Sequence, residues 1–164
     1  MGDWREDRIG AAERGENPMV LARMRSGYAV IGDTQFLPGY CVLLASPRVD
    51  ELNDLTLDQR SDFLLDMTLL GDAIAAVCAP IVRLNYAILG NTDTYLHAHV
   101  FPRYAWEPAG RLAHPPFSYP REYWTSPEHT YSDARHGELR ARLTDMLLQL
   151  LAANDENVSA GEEG

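Results

Sequence analysis

Residues 84–104 read LNYAILGNTDTYLHAHVFPRY, two apolar runs separated by the small and polar residues Gly90 to Thr94. Each run has the length and composition of a strand and the segment between them that of a loop, so strands are predicted at 83–89 and 95–101. Alternate side chains of a strand share a face. Leu96, Ala98 and Val100 therefore point to the core, while Tyr95, His97, His99 and Phe101 point together to the other side. Two imidazoles stand side by side, next to a loop whose backbone N–H groups suit an anion.

The flanking sequence supplies the rest of the fold. Residues 19–25 alternate, and after Ser26-Gly27 the apolar run YAVI follows at 28–31, which reads as a β-hairpin. CVLLA at 41–45 is a further strand, ending at Ser46-Pro47. Thr56-Leu57-Asp58-Gln59 has the form of a capping box, and Phe63, Met67, Leu70, Ile74 and Val77 then recur at steps of four and three until Pro80. That spacing predicts one long helix over 57–78. Residues 1–18 are polar and are expected to form an N-terminal arm, with a short helix around Trp4 to Arg14, that packs on the body. Residues 19–105 form the core. Residues 106–152 comprise an ordered loop rich in aromatics and proline and a C-terminal helix bearing Leu139, Leu143, Met146 and Leu150 on one face; 153–164 reads as an acidic disordered tail. The class is α+β: an antiparallel sheet of about five strands, one long helix packed on it, and a C-terminal helix.

With 164 residues, 46% hydrophobic and 23% charged, the chain has the size and composition of one domain. Fourteen basic against twenty-four acidic residues leave a net charge of −10, which argues against nucleic acid or an anionic membrane as partner. Every basic residue is Arg. Without Lys there is no Schiff-base or pyridoxal-phosphate anchor and no GxxxxGK[ST] phosphate loop. No serine sits in G-x-S-x-G, and Cys41 and Cys78 form neither a CxxC pair nor a zinc spacing, so they read as two reduced, buried thiols. The start lacks the apolar stretch of a signal peptide and no run has the length of a membrane span, so a cytoplasmic protein is expected.

Paired imidazoles beside such a loop suit three roles: metal ligation, nucleophilic and acid chemistry on a phosphoryl group, or a structural hydrogen-bond network. A metal needs further ligands, for which His114, His129, His136 and Asp93 are the candidates, although nothing in their spacing requires it; no metal and no cofactor are expected. A neutral imidazole whose Nδ1–H is held by a carbonyl offers Nε2 as a nucleophile at neutral pH, and its attack on an α-phosphorus gives a phosphoramidate that water then opens. His99, if protonated, donates to a phosphoryl oxygen, while Asn91 and Thr92 stabilise the developing charge. Arg103 is a candidate for steering phosphate, with a structural role as the alternative. Trp106, Tyr119 and Trp124 are expected to pack the late loop or to line a substrate surface. Asp93 and the helix carboxylates at 58, 62, 66 and 72 are expected on solvated faces.

The same stretch resembles the active-site segment of the histidine triad superfamily, whose pattern is H-φ-H-φ-H-φ-φ-P-R after a G-[QN]-[ST] loop. Pro102-Arg103 sets the register: the family's nucleophilic middle histidine falls on His97, its third on His99 and its first on Tyr95, a departure. Gly90-Asn91-Thr92 falls on the loop element, and Asn85 matches a phosphate-side asparagine. YAVIGDTQFLPGYCVLLASP at 28–47 is similar to the family's nucleoside-binding hairpin, which ends in P-G-H. The resemblance covers about residues 19–105. It implies a nucleotide hydrolase or nucleotidyl transferase acting through a nucleotidyl-histidine, on a dinucleoside polyphosphate or nucleoside phosphoramidate, and a homodimer. It also implies that the acid holding the ribose hydroxyls, at a position occupied here by Gly32, is the adjacent Asp33, and that Ile31, Phe36 and Leu37 help to line the base pocket. Tyr95 is then a substrate-side residue. The departures at Tyr95 and Gly32 motivate the alternative of a nucleotide-binding protein without turnover, and the histidine pair motivates a metal-dependent hydrolase.

Overall fold

Five strands, β1 (Val20–Arg23), β2 (Gly27–Ile31), β3 (Cys41–Ala45), β4 (Arg83–Ala87) and β5 (His97–Arg103), form an antiparallel sheet in the order β1-β2-β3-β5-β4 in the computed structural model, which describes residues 2–162. β5 lies between β3 and β4, with Leu44 opposite His97 and Val42 opposite His99. The two strands expected at 83–89 and 95–101 are thus present, but their pairing begins at Ala87 opposite His99. Before that point the chain turns away, and the Leu96 N–H donates to the Val49 carbonyl instead.

Among the described residues the α-helices are α1 (Arg8–Glu13), α2 (Leu57–Cys78), the short α3 (Arg121–Thr125) and α4 (Asp133–Glu162). α2 starts at the anticipated capping box, in which the Thr56 hydroxyl accepts from the Gln59 N–H and the Gln59 side chain accepts from the Thr56 N–H. Its Phe63, Leu70, Ala73 and Ile74 are fully buried in one core with Leu43, Ala98 and Val100 of the sheet and with Leu96, which precedes β5. Each of the larger ones contributes about 1.5 to 3 kcal/mol by leaving water. The alternation read from β5 is therefore realised, and it leaves the histidine face turned away from α2.

Three expectations are corrected. The segment 153–164, expected to be a disordered tail, continues α4 to Glu162, and its residues 163–164 lie outside the described residues. The helix is already nucleated by Leu139, Leu143, Met146 and Leu147 packing on the core, so each added residue gains a hydrogen bond without a new nucleation cost, and Arg25 lies 3.7 Å from Asp155. Asp66, expected on a solvated face, is 3% exposed and accepts from the Ser26 N–H and hydroxyl at 2.7 and 2.6 Å, tying the β1–β2 turn to α2. Burial outweighs those hydrogen bonds and raises its carboxyl above the ordinary value. Arg103, the phosphate-steering candidate, is 1% exposed and wholly engaged by the protein, as detailed below. The N-terminal arm packs on the body through Ile9, Ala11 and Ala12, and among the described residues no helix is long and apolar enough to cross a membrane.

Candidate active site

On the face of β5 opposite α2 lies a cavity of about 230 Å³, whose wall includes His97, His99, Tyr40, Asp33, Tyr95 and Trp124. His97 is 7% exposed, and its Nδ1 lies 2.7 Å from the Tyr95 carbonyl oxygen. A carbonyl only accepts, so Nδ1 carries a proton, and in the neutral ring Nε2 is then the nitrogen with the lone pair. The His99 ring sits 4.8 Å from that of His97, edge to face. Its Nδ1 is 2.6 Å from the Tyr40 hydroxyl.

Burial, and then the neighbouring His97, lower the His99 pKa to about 4. His99 is therefore neutral at pH 7. Burial also holds the Tyr40 phenol far above its ordinary value, so it keeps its proton; in the tautomer in which it donates that proton to Nδ1, His99 carries an Nε2–H and is a neutral donor. The pH dependence of stability follows from the sign of this shift. Between about 6.5 and about 4 the unfolded chain binds a proton that folded His99 refuses, so the His99 contribution is complete above that window and lost as the pH falls through it. Urea midpoints measured across that range should decline by the equivalent of about 2 kcal/mol, after discounting for solvent screening, and His99→Asn should flatten the decline. An unchanged slope in that variant would refute the assignment.

Gly32 and Tyr40 lie against each other. A Cβ placed on Gly32 would lie 2.3 Å from the Tyr40 ring, so that ring fills the space in which a side chain at 32 would begin. The next residue, Asp33, lines the cavity. Tyr40 itself was not singled out by the sequence reading; its signal is the Pro38-Gly39-Tyr40 sequence where the related pattern has P-G-H. Ile31 and Tyr95 also line the cavity, and Tyr95 lies with its ring 5.1 Å from that of His97.

Other candidates lie elsewhere. Gly90 takes a left-handed conformation at φ 71° that suits glycine, and Asn91 and Thr92 are exposed on the loop it opens; of this loop Asp93 reaches the cavity wall. Phe36, expected in the base pocket, packs instead against Tyr119, Tyr123 and Trp124, and so supports the wall from behind. Asn85 and Arg103 share the histidine face but lie past Phe101, beside a separate groove that also includes His114 and Phe117. Arg103 donates to Glu107, to the Asn85 side chain and to the His114 and Arg111 carbonyls, which replaces its expected phosphate role by a structural one. Trp106 is 61% exposed and stacked on Tyr104. His129 and His136 bond the Tyr123 carbonyl and the Ser132 N–H respectively, and among the described residues no three His, Cys, Asp or Glu side chains are grouped to hold a metal.

No protein-family model and no curated protein matches the sequence. Solved structures do match its fold. A histidine triad protein from Sinorhizobium meliloti 1021 superimposes with a TM-score of 0.66 at 16% identity, over 88% of this chain and 95% of that one. One from Marinobacter aquaeolei VT8 gives 0.66 at 22% identity, over 80% and 89%. The diadenosine triphosphate hydrolase of Plasmodium falciparum, in complex with cyclomarin A, gives 0.50 at 15% identity, over 80% and 77%. The chain has the histidine triad fold.

Proposed function

We propose that the chain is a nucleotide hydrolase or nucleotidyl transferase that attacks an α-phosphate through His97, with a dinucleoside polyphosphate or a nucleoside phosphoramidate as the substrate class. The observation that carries this reading is the 2.7 Å contact between His97 Nδ1 and the Tyr95 carbonyl, which makes Nε2 the free nitrogen of the neutral ring, on a residue that lines a cavity of about 230 Å³. Nε2 forms a bond to the α-phosphorus, the bond to the leaving oxygen or nitrogen breaks, and water then opens the phosphoramidate. His99 Nε2–H stabilises a phosphoryl oxygen as a neutral donor, and the N–H groups of the 90–94 loop, with Asn91 and Thr92, meet the outgoing phosphates. Asp33 holds the ribose hydroxyls against Ile31. The likeness to a diadenosine triphosphate hydrolase supports the substrate class. A homodimer through the free edge of β4 accords with the exposure of Val82, Tyr86 and Leu89 along that segment.

Intact-protein mass after brief, acid-free quenching with a nucleotide panel tests the step. Wild type should carry a nucleotidyl adduct, and His97→Asn none, with turnover unaffected by EDTA. Turnover abolished by EDTA would instead point to a metal held by the histidine pair. A second reading, nucleotide binding without turnover, has its own observation: His99 is neutral and no histidine stands at 95, so the site lacks a cationic acid. Tight AMP binding with neither adduct nor product would establish it.

A further inference from the structure

Arg8 belongs to the N-terminal arm, outside every motif that marks the site, yet its side chain lines the same cavity as His97. Its Nη1 and Nη2 donate to the two carboxylate oxygens of Asp33 at 3.1 and 2.5 Å, across 25 residues of sequence. The arm is built to hold it there. Ile9, Ala11 and Ala12 anchor α1 in the core, and the Asn17 side chain donates to the Arg8 carbonyl at 3.1 Å. Asp33 is fixed from its other end by the Tyr131 N–H, which donates to its carbonyl at 2.8 Å. Among the described residues Arg8 is the one guanidinium in the cavity wall, facing Asp33 and Asp93.

A carboxylate on a turn, about half exposed, ordinarily samples several rotamers. A guanidinium fork matches both oxygens at once and fixes the plane of the carboxylate. Each oxygen still has a lone pair, because an ionised carboxylate offers about four acceptor sites and the fork uses two. A vicinal diol needs two acceptors at fixed spacing. We propose that Arg8 is a positioning residue for ribose recognition: it orients Asp33 so that the free lone pairs accept from the 2′- and 3′-hydroxyls, making selectivity for a ribonucleotide depend on the N-terminal arm. This rests on Asp33 being the ribose-holding acid.

The test is calorimetric titration of the full chain with AMP and with 2′-deoxy-AMP, for wild type, Arg8→Met, Arg8→Lys and Asp33→Asn. Wild type should prefer AMP by about tenfold, the scale of a hydrogen bond to a charged group. Arg8→Met should bring the preference below about twofold while changing the affinity for 2′-deoxy-AMP little, and Arg8→Lys should restore part of it. A merely structural role would weaken both ligands alike. Arg8→Met retaining the wild-type preference overturns the inference, as does tighter binding of both ligands, which would make Arg8 a competitor for Asp33. If instead Asp33→Asn keeps the preference, or wild type shows none, the ribose assignment of Asp33 itself fails, and the inference with it. Failure of wild type to bind either nucleotide would refute the proposed function as well.

Discussion

His97→Ala is expected to lower turnover by about 10⁴-fold or more while leaving AMP affinity within about threefold. The nucleophile contributes to bond formation in the transition state and little to holding the nucleoside, so its loss falls on kcat. His99→Asn should cost less, about 10²-fold, because a neutral N–H donor that stabilises charge is one contributor among several. Tyr95→His should change turnover by less than about tenfold, since residue 95 fixes His97 through its main-chain carbonyl, which any residue supplies. Steady-state kinetics with an α-phosphate substrate, in the presence and absence of EDTA, measures all three. A loss below tenfold in His97→Ala would remove His97 as nucleophile. A large gain in Tyr95→His would show that an imidazole side chain at 95 matters to the chemistry.

The fold was legible wherever one periodicity dominated. Alternation in β5, the capping box at Thr56 and the Phe63-to-Val77 repeat each specify one local structure with one buried face, and the structure realises all three. Alternation also brought His97 and His99 to one face without any tertiary information. What was not legible depends on contacts between distant segments. Arg103 shares that face, and sequence spacing cannot tell an arginine that meets phosphate from one that meets Glu107, Asn85 and two carbonyls. Phe36 lost its place in the cavity to the aromatic residues of the late loop, whose path no motif defines. The ionisation of His99 was not legible for a similar reason. Its neutrality comes from burial and from the adjacent His97, and burial is a property of the assembled site. Arg8 had no signal at all, since an arginine in a polar arm has the composition of a solvated one.

Arg103→Met is expected to destabilise the protein by about 3 to 5 kcal/mol, the largest effect on folding of any single change at this face. The side chains of Arg103 and Glu107 are 1% and 0% exposed, and the pair lies 2.9 Å apart. Glu107 also accepts from the Tyr119 hydroxyl at 2.6 Å and the Tyr104 N–H at 2.7 Å. Burial by itself would raise the Glu107 carboxyl, yet hydrogen bonds from Arg103, Tyr119 and the Tyr104 N–H outweigh it and hold the group below its ordinary value. Its contribution is therefore present above the ordinary carboxylate range and lost on acidification. Removing Arg103 leaves a buried carboxylate with two donors in place of a guanidinium. Arg103→Met paired with Glu107→Leu should recover part of the loss, because an apolar pair leaves no uncompensated charge. Urea unfolding of the single and double variants measures both. The guanidinium also accounts for the order of the late loop, as it spans the Arg111 and His114 carbonyls and the Asn85 side chain of β4. Amide exchange in Arg103→Met should therefore accelerate first around 111–125, carrying Trp124 and one wall of the cavity with it, before the sheet exchanges. A uniform acceleration over the whole chain would mean that the network stabilises the domain as one unit, with no separate hold on the loop.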